Sequence, residues 1–138
     1  MEDNANAAPP AFLHDVLGME LVSAAEGRAT ARMKVEERVC QIFGFLSGGA
    51  SLALMETLAG YGSLALCGPD EVPLGIQVSA NHMRAVPLGD EVTATATLLQ
   101  CSRRLHVWNV DIHDTEGRLI SSGRVTNCIK EQKEREKG

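Results

Sequence analysis

The sequence predicts an α+β fold in which an antiparallel sheet wraps around one long central helix. Three observations predict it. A single stretch, about 48–66, is apolar on nearly every side and carries one charge, Glu56. Segments before and after it alternate apolar and polar residues with period two, the signature of strands with one buried face. The joints between those segments have hairpin length, which suits antiparallel pairing. The order is β-β-α-β-β-β-β, and the helix must lie on one sheet face to hide its apolar surface.

The elements follow in order. Residues 1–10 are small and polar and end in Pro9-Pro10, as a loose N-terminus would. Phe12, Leu13, Val16 and Leu17 form an apolar stripe for a short helix over 11–17, closed by Gly18. Two strands, 19–25 and 28–35, flank a Glu26-Gly27 turn. In the second, Ala29, Ala31, Met33 and Val35 alternate with Arg28, Thr30, Arg32 and Lys34. A connection over 36–46 leads into the helix, which Cys67-Gly68-Pro69-Asp70 stops.

Four further strands are expected. The first, 73–85, is read with Leu74, Ile76, Val78 and Ala80 on one face; the others are 91–100, 103–113 and 118–129. The charged tail 131–138 is expected to fray, leaving 11–130 as a single domain. The helix offers more apolar surface than one sheet face needs, so a homodimer is expected to bury the rest.

Composition narrows the function. Aromatic residues make up 4% and the net charge is -5, which speaks against base stacking and phosphate neutralisation, hence against nucleic-acid partners. Cys40, Cys67, Cys101 and Cys128 are widely spaced, with no C-x-x-C pair for zinc. Nothing resembles a signal peptide, and no uninterrupted apolar run would span a membrane, so a cytoplasmic protein is expected.

The helix start holds the most chemistry. Ser47 suits an N-cap, and Gly48 and Gly49 allow another molecule close to the free N–H groups of the first turn. Glu56 has two readings. It is a structural carboxylate that pairs with an arginine or faces a wet groove, or it is a reactive carboxylate beside an anion-stabilising helix start.

The stretch Gln41-x-x-Gly44-x-x-Ser47-Gly48-Gly49-Ala50-Ser51 with Glu56 seven residues after Gly49 carries a family resemblance. So do Val78-Ser79-Ala80-Asn81-His82-Met83-Arg84, then Arg104 with Val107-Trp108, then Gly117-Arg118-Leu119 and Ser122. In that order and spacing the chain resembles hotdog-fold acyl-CoA thioesterases. The closest resemblance is to the branch with the 4-hydroxybenzoyl-CoA, phenylacetyl-CoA-pathway and 1,4-dihydroxy-2-naphthoyl-CoA enzymes. It covers about Phe12 to Ile129.

The resemblance implies hydrolysis of an acyl-CoA thioester, with an aromatic or hydroxyaromatic acyl group, to free acid and coenzyme A. It implies no cofactor and no metal. Glu56 would be nucleophile or general base, and the N–H groups at Gly48 and Gly49 would polarise the carbonyl, Gly48 chiefly. Gln41 would hold the thioester or the water; its plain alternative is a surface loop glutamine. By the same resemblance Ser47 and Gly49 border the substrate. Coenzyme A would lie along Gly75, His82, Arg84, Ser102, Arg103 and Arg104. The plain alternatives are a hydrogen-bonded core histidine at His82 and a solvated strand start at Arg103-Arg104. Phe43, Phe45 and Leu46 are either acyl-pocket walls or core anchors.

Eight helical residues separate Gly48 from Glu56, about 12 Å. One chain's helix start and another chain's Glu56 must therefore share a site, and the resemblance extends the dimer to a homotetramer. Two departures stand out. Ser47 occupies a position where many relatives carry His. Gly60 stands where several carry Ser or Thr; if that hydroxyl helps place the attacking water, the job falls to Thr57, to Ser63 or to a different water. Two other functions compete: acyl-thioester hydration or dehydration, for which no Asp/His pair lies near Gly48, and a non-catalytic acyl-CoA-binding module, against which the presence of Glu56 favours an enzyme.

Overall fold

The computed structural model describes residues 12–132. The expected loose N-terminus lies outside the described residues. Helix α1 spans Leu13–Leu17, strand β1 Met19–Ala25 and β2 Arg28–Lys34; helix α2 spans Gly48–Leu64. Four strands follow: β3 Glu71–His82, β4 Glu91–Cys101, β5 Leu105–Asp114 and β6 Leu119–Glu131. All pair antiparallel in one sheet of order β1-β2-β4-β5-β6-β3.

Local chemistry sets the joints. Glu26 and Gly27 both have positive φ, 55° and 86°, as the tight hairpin between β1 and β2 requires. Asp114 organises the β5–β6 turn by accepting from the N–H groups of Glu116 and Arg118 and from Arg118 Nε. Burial works to raise its carboxyl, but the bonds from Arg118 and Glu116 outweigh that and hold it below its ordinary value. The helix ends two residues earlier than its apolar run, because Leu66 and Cys67 bond back three residues, to Ser63 and Leu64, and tighten the last turn.

The core lies between α2 and the sheet. Ser51, Leu54, Met55, Leu58, Ala59, Gly62 and Ser63 make the buried face of α2. Small residues meet under it: Ala29 faces Ala96 and Ala31 faces Ala94 across β2 and β4, all fully buried. Trp108, Val110 and Ile112 of β5 fill the rest, as their alternation predicts. Gly62 is required here, since a Cβ would lie 2.6 Å from the Trp108 ring.

One expectation needs correction. Of the four apolar residues read as one face of β3, only Val78 and Ala80 pack on the core; Leu74 and Ile76 are exposed. A bulge between Gly75 and Gln77 inserts an extra residue, and the alternation changes face there. Strand β6 runs through Glu131, which pairs with Glu71 of β3.

Candidate active site

The loop before α2 is built around Gln41. Its N–H donates to Phe45 O at 2.8 Å and its C=O accepts from Gly44 N at 3.0 Å, closing a turn for which Gly44 takes a φ of 88°. Its side-chain Oε1 accepts from the N–H of Phe43 at 2.6 Å and of Phe45 at 3.3 Å. Two backbone donors require an oxygen there, so the amide orientation is determined and the Nε2 group is the end left for a ligand. Gln41 is exposed yet held in place, not a free surface side chain.

Ser47 is the N-cap, and its Oγ accepts from Gly49 N at 3.1 Å. That bond separates the two glycines. The Gly49 N–H is occupied, whereas among the described residues nothing accepts from Gly48 N–H. The His82 ring lies against Gly48, where a Cβ would sit 2.9 Å from Cδ2 and Nε2, so the close approach needs a glycine. His82 Nδ1 and Ser121 Oγ are hydrogen-bonded at 2.8 Å.

An open cleft of about 310 Å³ joins these groups. Gln41, Gly48, His82 and Arg84 supply its polar side, and Phe45 and Met83 are among its apolar walls. Leu46 also lines it, whereas Phe43 points to solvent, 75% exposed.

Glu56 is elsewhere. It is half-buried on α2, with its carboxylate over Gly75 of β3, close enough that a Cβ at Gly75 would meet it. Among the described residues no hydrogen bond or ion pair to that carboxylate is present, so the arginine pairing of the structural reading is not found. Gly75 and His82 are seven residues apart on β3, about 23 Å along the strand. Ser102, Arg103 and Arg104 form a third group at the β4–β5 turn, where Arg103, Arg104 and Lys130 border a groove beside Glu71. It lies at the far end of β3 from His82. One chain therefore brings together Gln41, Ser47, Gly48, His82 and Arg84 in one place, Glu56 and Gly75 in a second, and Ser102, Arg103 and Arg104 in a third.

Comparison with known proteins gives the family. A thioesterase superfamily profile matches residues 43–121. The chain belongs to the thioesterase superfamily. This acyl-CoA thioesterase is 35% identical to a Listeria monocytogenes 1,4-dihydroxy-2-naphthoyl-CoA hydrolase, over 88% of its own length and 98% of the relative's. It is 32% identical to a proofreading thioesterase, EntH, of Cronobacter turicensis, over 90% of each chain. The crystal structure of a Haemophilus influenzae thioesterase superposes with a TM-score of 0.81 at 34% identity, covering 86% of this chain and 82% of that one. The fold is the hotdog fold.

Several groups in the thioesterase were not legible in sequence. Ser121, the partner of His82, and Ile120, which lines the cleft, come from β6, about forty residues away in the chain. Ser63 is fully buried, and its Oγ bonds to His106, Trp108 and Asn127. It is therefore unavailable to place a water, and of the two hydroxyls considered Thr57 remains, half-buried beside Glu56. Among the described residues no three His, Cys, Asp or Glu side chains converge as metal ligands, and the four cysteines are free. No described helix is long and apolar enough to cross a membrane.

Proposed function

We propose that the enzyme hydrolyses an aromatic or hydroxyaromatic acyl-CoA in a site shared by two chains. One observation carries the reading: the helix-start cleft and the Glu56 carboxylate lie on one helix, yet Glu56 turns toward β3, an edge strand of the sheet. An edge strand seeks a partner. An antiparallel pairing of two β3 strands about a point between Val78 and Ser79 sets Gly75 of one chain opposite His82 of the other. It carries Glu56 of one chain toward Gly48 of its partner, and Arg103 and Arg104 of one toward Arg84 of the other.

In this site the thioester carbonyl oxygen accepts from Gly48 N–H and from Gln41 Nε2, near the positive end of the α2 dipole. Both donors stabilise the negative charge that grows on that oxygen during attack. Glu56 attacks the carbonyl carbon or takes the proton of the attacking water. On the first route C–S cleavage leaves an acyl–Glu56 anhydride that water hydrolyses to the free acid and restored Glu56. On the second the water oxygen bonds to the carbonyl carbon and C–S cleavage gives the acid directly. On both the thiolate is protonated and leaves as coenzyme A. Ser47 and Gly49 hold the helix start, and the arginines, Gly75, His82 and Ser102 line the path of coenzyme A. The substrate class is supported by the hydroxyaromatic thioester in the Listeria relative's name and by the mixed apolar and polar cleft walls. Two such dimers form the tetramer, acting in the cytoplasm without a cofactor.

The test is a panel of aromatic and aliphatic acyl-CoAs, followed by loss of thioester absorbance. Hydroxyaromatic esters are expected to turn over fastest, and Glu56→Ala to lower the rate about 10³-fold. Mixing Glu56→Ala with Gln41→Leu subunits should restore up to about a quarter of wild-type activity, because half the dimers then carry one intact site. A mixture no more active than its parents, with subunit exchange shown by native mass spectrometry, overturns the shared site.

A further inference from the structure

We propose that Asn127, acting with Ser63, is a positioning residue for Glu56; the inference rests on the reading of Glu56 as the reacting carboxylate. Asn127 is on β6 and 1% exposed. Its Nδ2 donates to Ala59 O at 3.1 Å and to Ser63 Oγ at 3.0 Å, both on α2. The register places it beside the reacting group. Asn127 is the cross-strand partner of Gly75 on β3 and of His106 on β5. Gly75 is the residue over which the Glu56 carboxylate lies, and Ala59 is one helical turn beyond Glu56. A single row across the sheet thus grips the helix at Ala59 and Ser63 and receives Glu56 one strand away.

The grip is specific because Ser63 Oγ is fully used. It accepts from Trp108 Nε1 at 2.8 Å and from Asn127 Nδ2, which takes both lone pairs. Its one proton is left for His106 Nδ1, at 2.8 Å, so that nitrogen must be bare. Gly62 lets the Trp108 ring approach the helix closely enough for its bond to Ser63. Rotation or sliding of α2 would break several bonds at once in a site closed to water, where unpaired polar groups are costly. The helix is therefore held in rotation and height where Glu56 leaves it, and a misplacement of about 1 Å at a reacting group costs about a hundredfold in rate.

Asn127→Leu keeps the volume and removes the bonds; Ser63→Ala removes only the hub oxygen. Both are compared with wild type, Glu56→Gln and Val110→Ala, a core change on β5 outside the network, by kcat, KM and Tm. The expected result is a kcat ten- to a hundredfold lower in Asn127→Leu and Ser63→Ala, with KM within about twofold. Val110→Ala, with a similar loss of Tm, should keep its kcat. In the Glu56→Gln background, Asn127→Leu should lower the residual rate no further. Wild-type kcat in folded Ser63→Ala or Asn127→Leu, beside an inactive Glu56→Gln, overturns the positioning role alone. Loss of kcat in Val110→Ala in step with Tm also overturns it. Wild-type kcat in Glu56→Gln overturns the reading of Glu56 and this inference with it.

Discussion

Replacing Gly75 by alanine should separate activity from stability. The new Cβ would lie 3.0 Å from Glu56 Cδ and 3.2 Å from Cγ, with Oε2 nearer still. Ordinary carbon contacts are about 3.5–4.0 Å, so the carboxylate must retreat by on the order of 1 Å. A shift of that size predicts about a hundredfold loss of kcat, about 2.7 kcal/mol in the barrier. The backbone has no objection, because Gly75 is not among the glycines with positive φ. Alanine in a strand interior is favoured over glycine by about 0.5–1 kcal/mol. The variant should therefore melt at or slightly above the wild-type temperature while losing most of its turnover. Steady-state kinetics on the preferred acyl-CoA and a thermal melt read the two quantities from one preparation. Unchanged kcat in the folded variant would refute the placement of Glu56 over Gly75 in the reacting site. A large fall in Tm would refute the steric argument.

Three other outcomes follow from the same structure. Gly62→Ala drives a methyl group into the Trp108 ring and should destabilise the fold by about 1–3 kcal/mol, measured by urea unfolding. Burial pushes the His106 imidazole below its ordinary 6.5, with Glu71 partly opposing. Below pH 6.5 the unfolded chain then takes up a proton that the folded chain resists, so stability should fall as pH drops from 7.5 toward 5. His106→Gln should flatten that dependence in denaturant titrations across the range. Gly60 has open space around it, so Gly60→Ser should fold normally and change Tm by no more than a few degrees; a clear loss of folded protein would contradict the open space beside Glu56.

Much of the site was legible because its chemistry is local. Ser47 caps α2 through a hydroxyl two residues from the N–H that it accepts. Gln41 binds backbone groups two and four residues on. The eight-residue gap between Gly48 and Glu56 is a property of any helix, so the proposal of a site shared by two chains can be argued from the sequence alone. The face of β3 was not legible, because a bulge leaves alternation intact on either side and only moves its phase.

The sequence by itself determined the order of elements and the capped helix start, since each depends on neighbours within a turn or a strand. Only the tertiary structure decided which groups meet. It set His82 against Gly48, Glu56 over Gly75, and Ser63 among His106, Trp108 and Asn127, groups separated by 19 to 64 residues of chain. Those meetings depend on sheet register, and register follows from bulges and packing summed over the whole core, which no short stretch encodes.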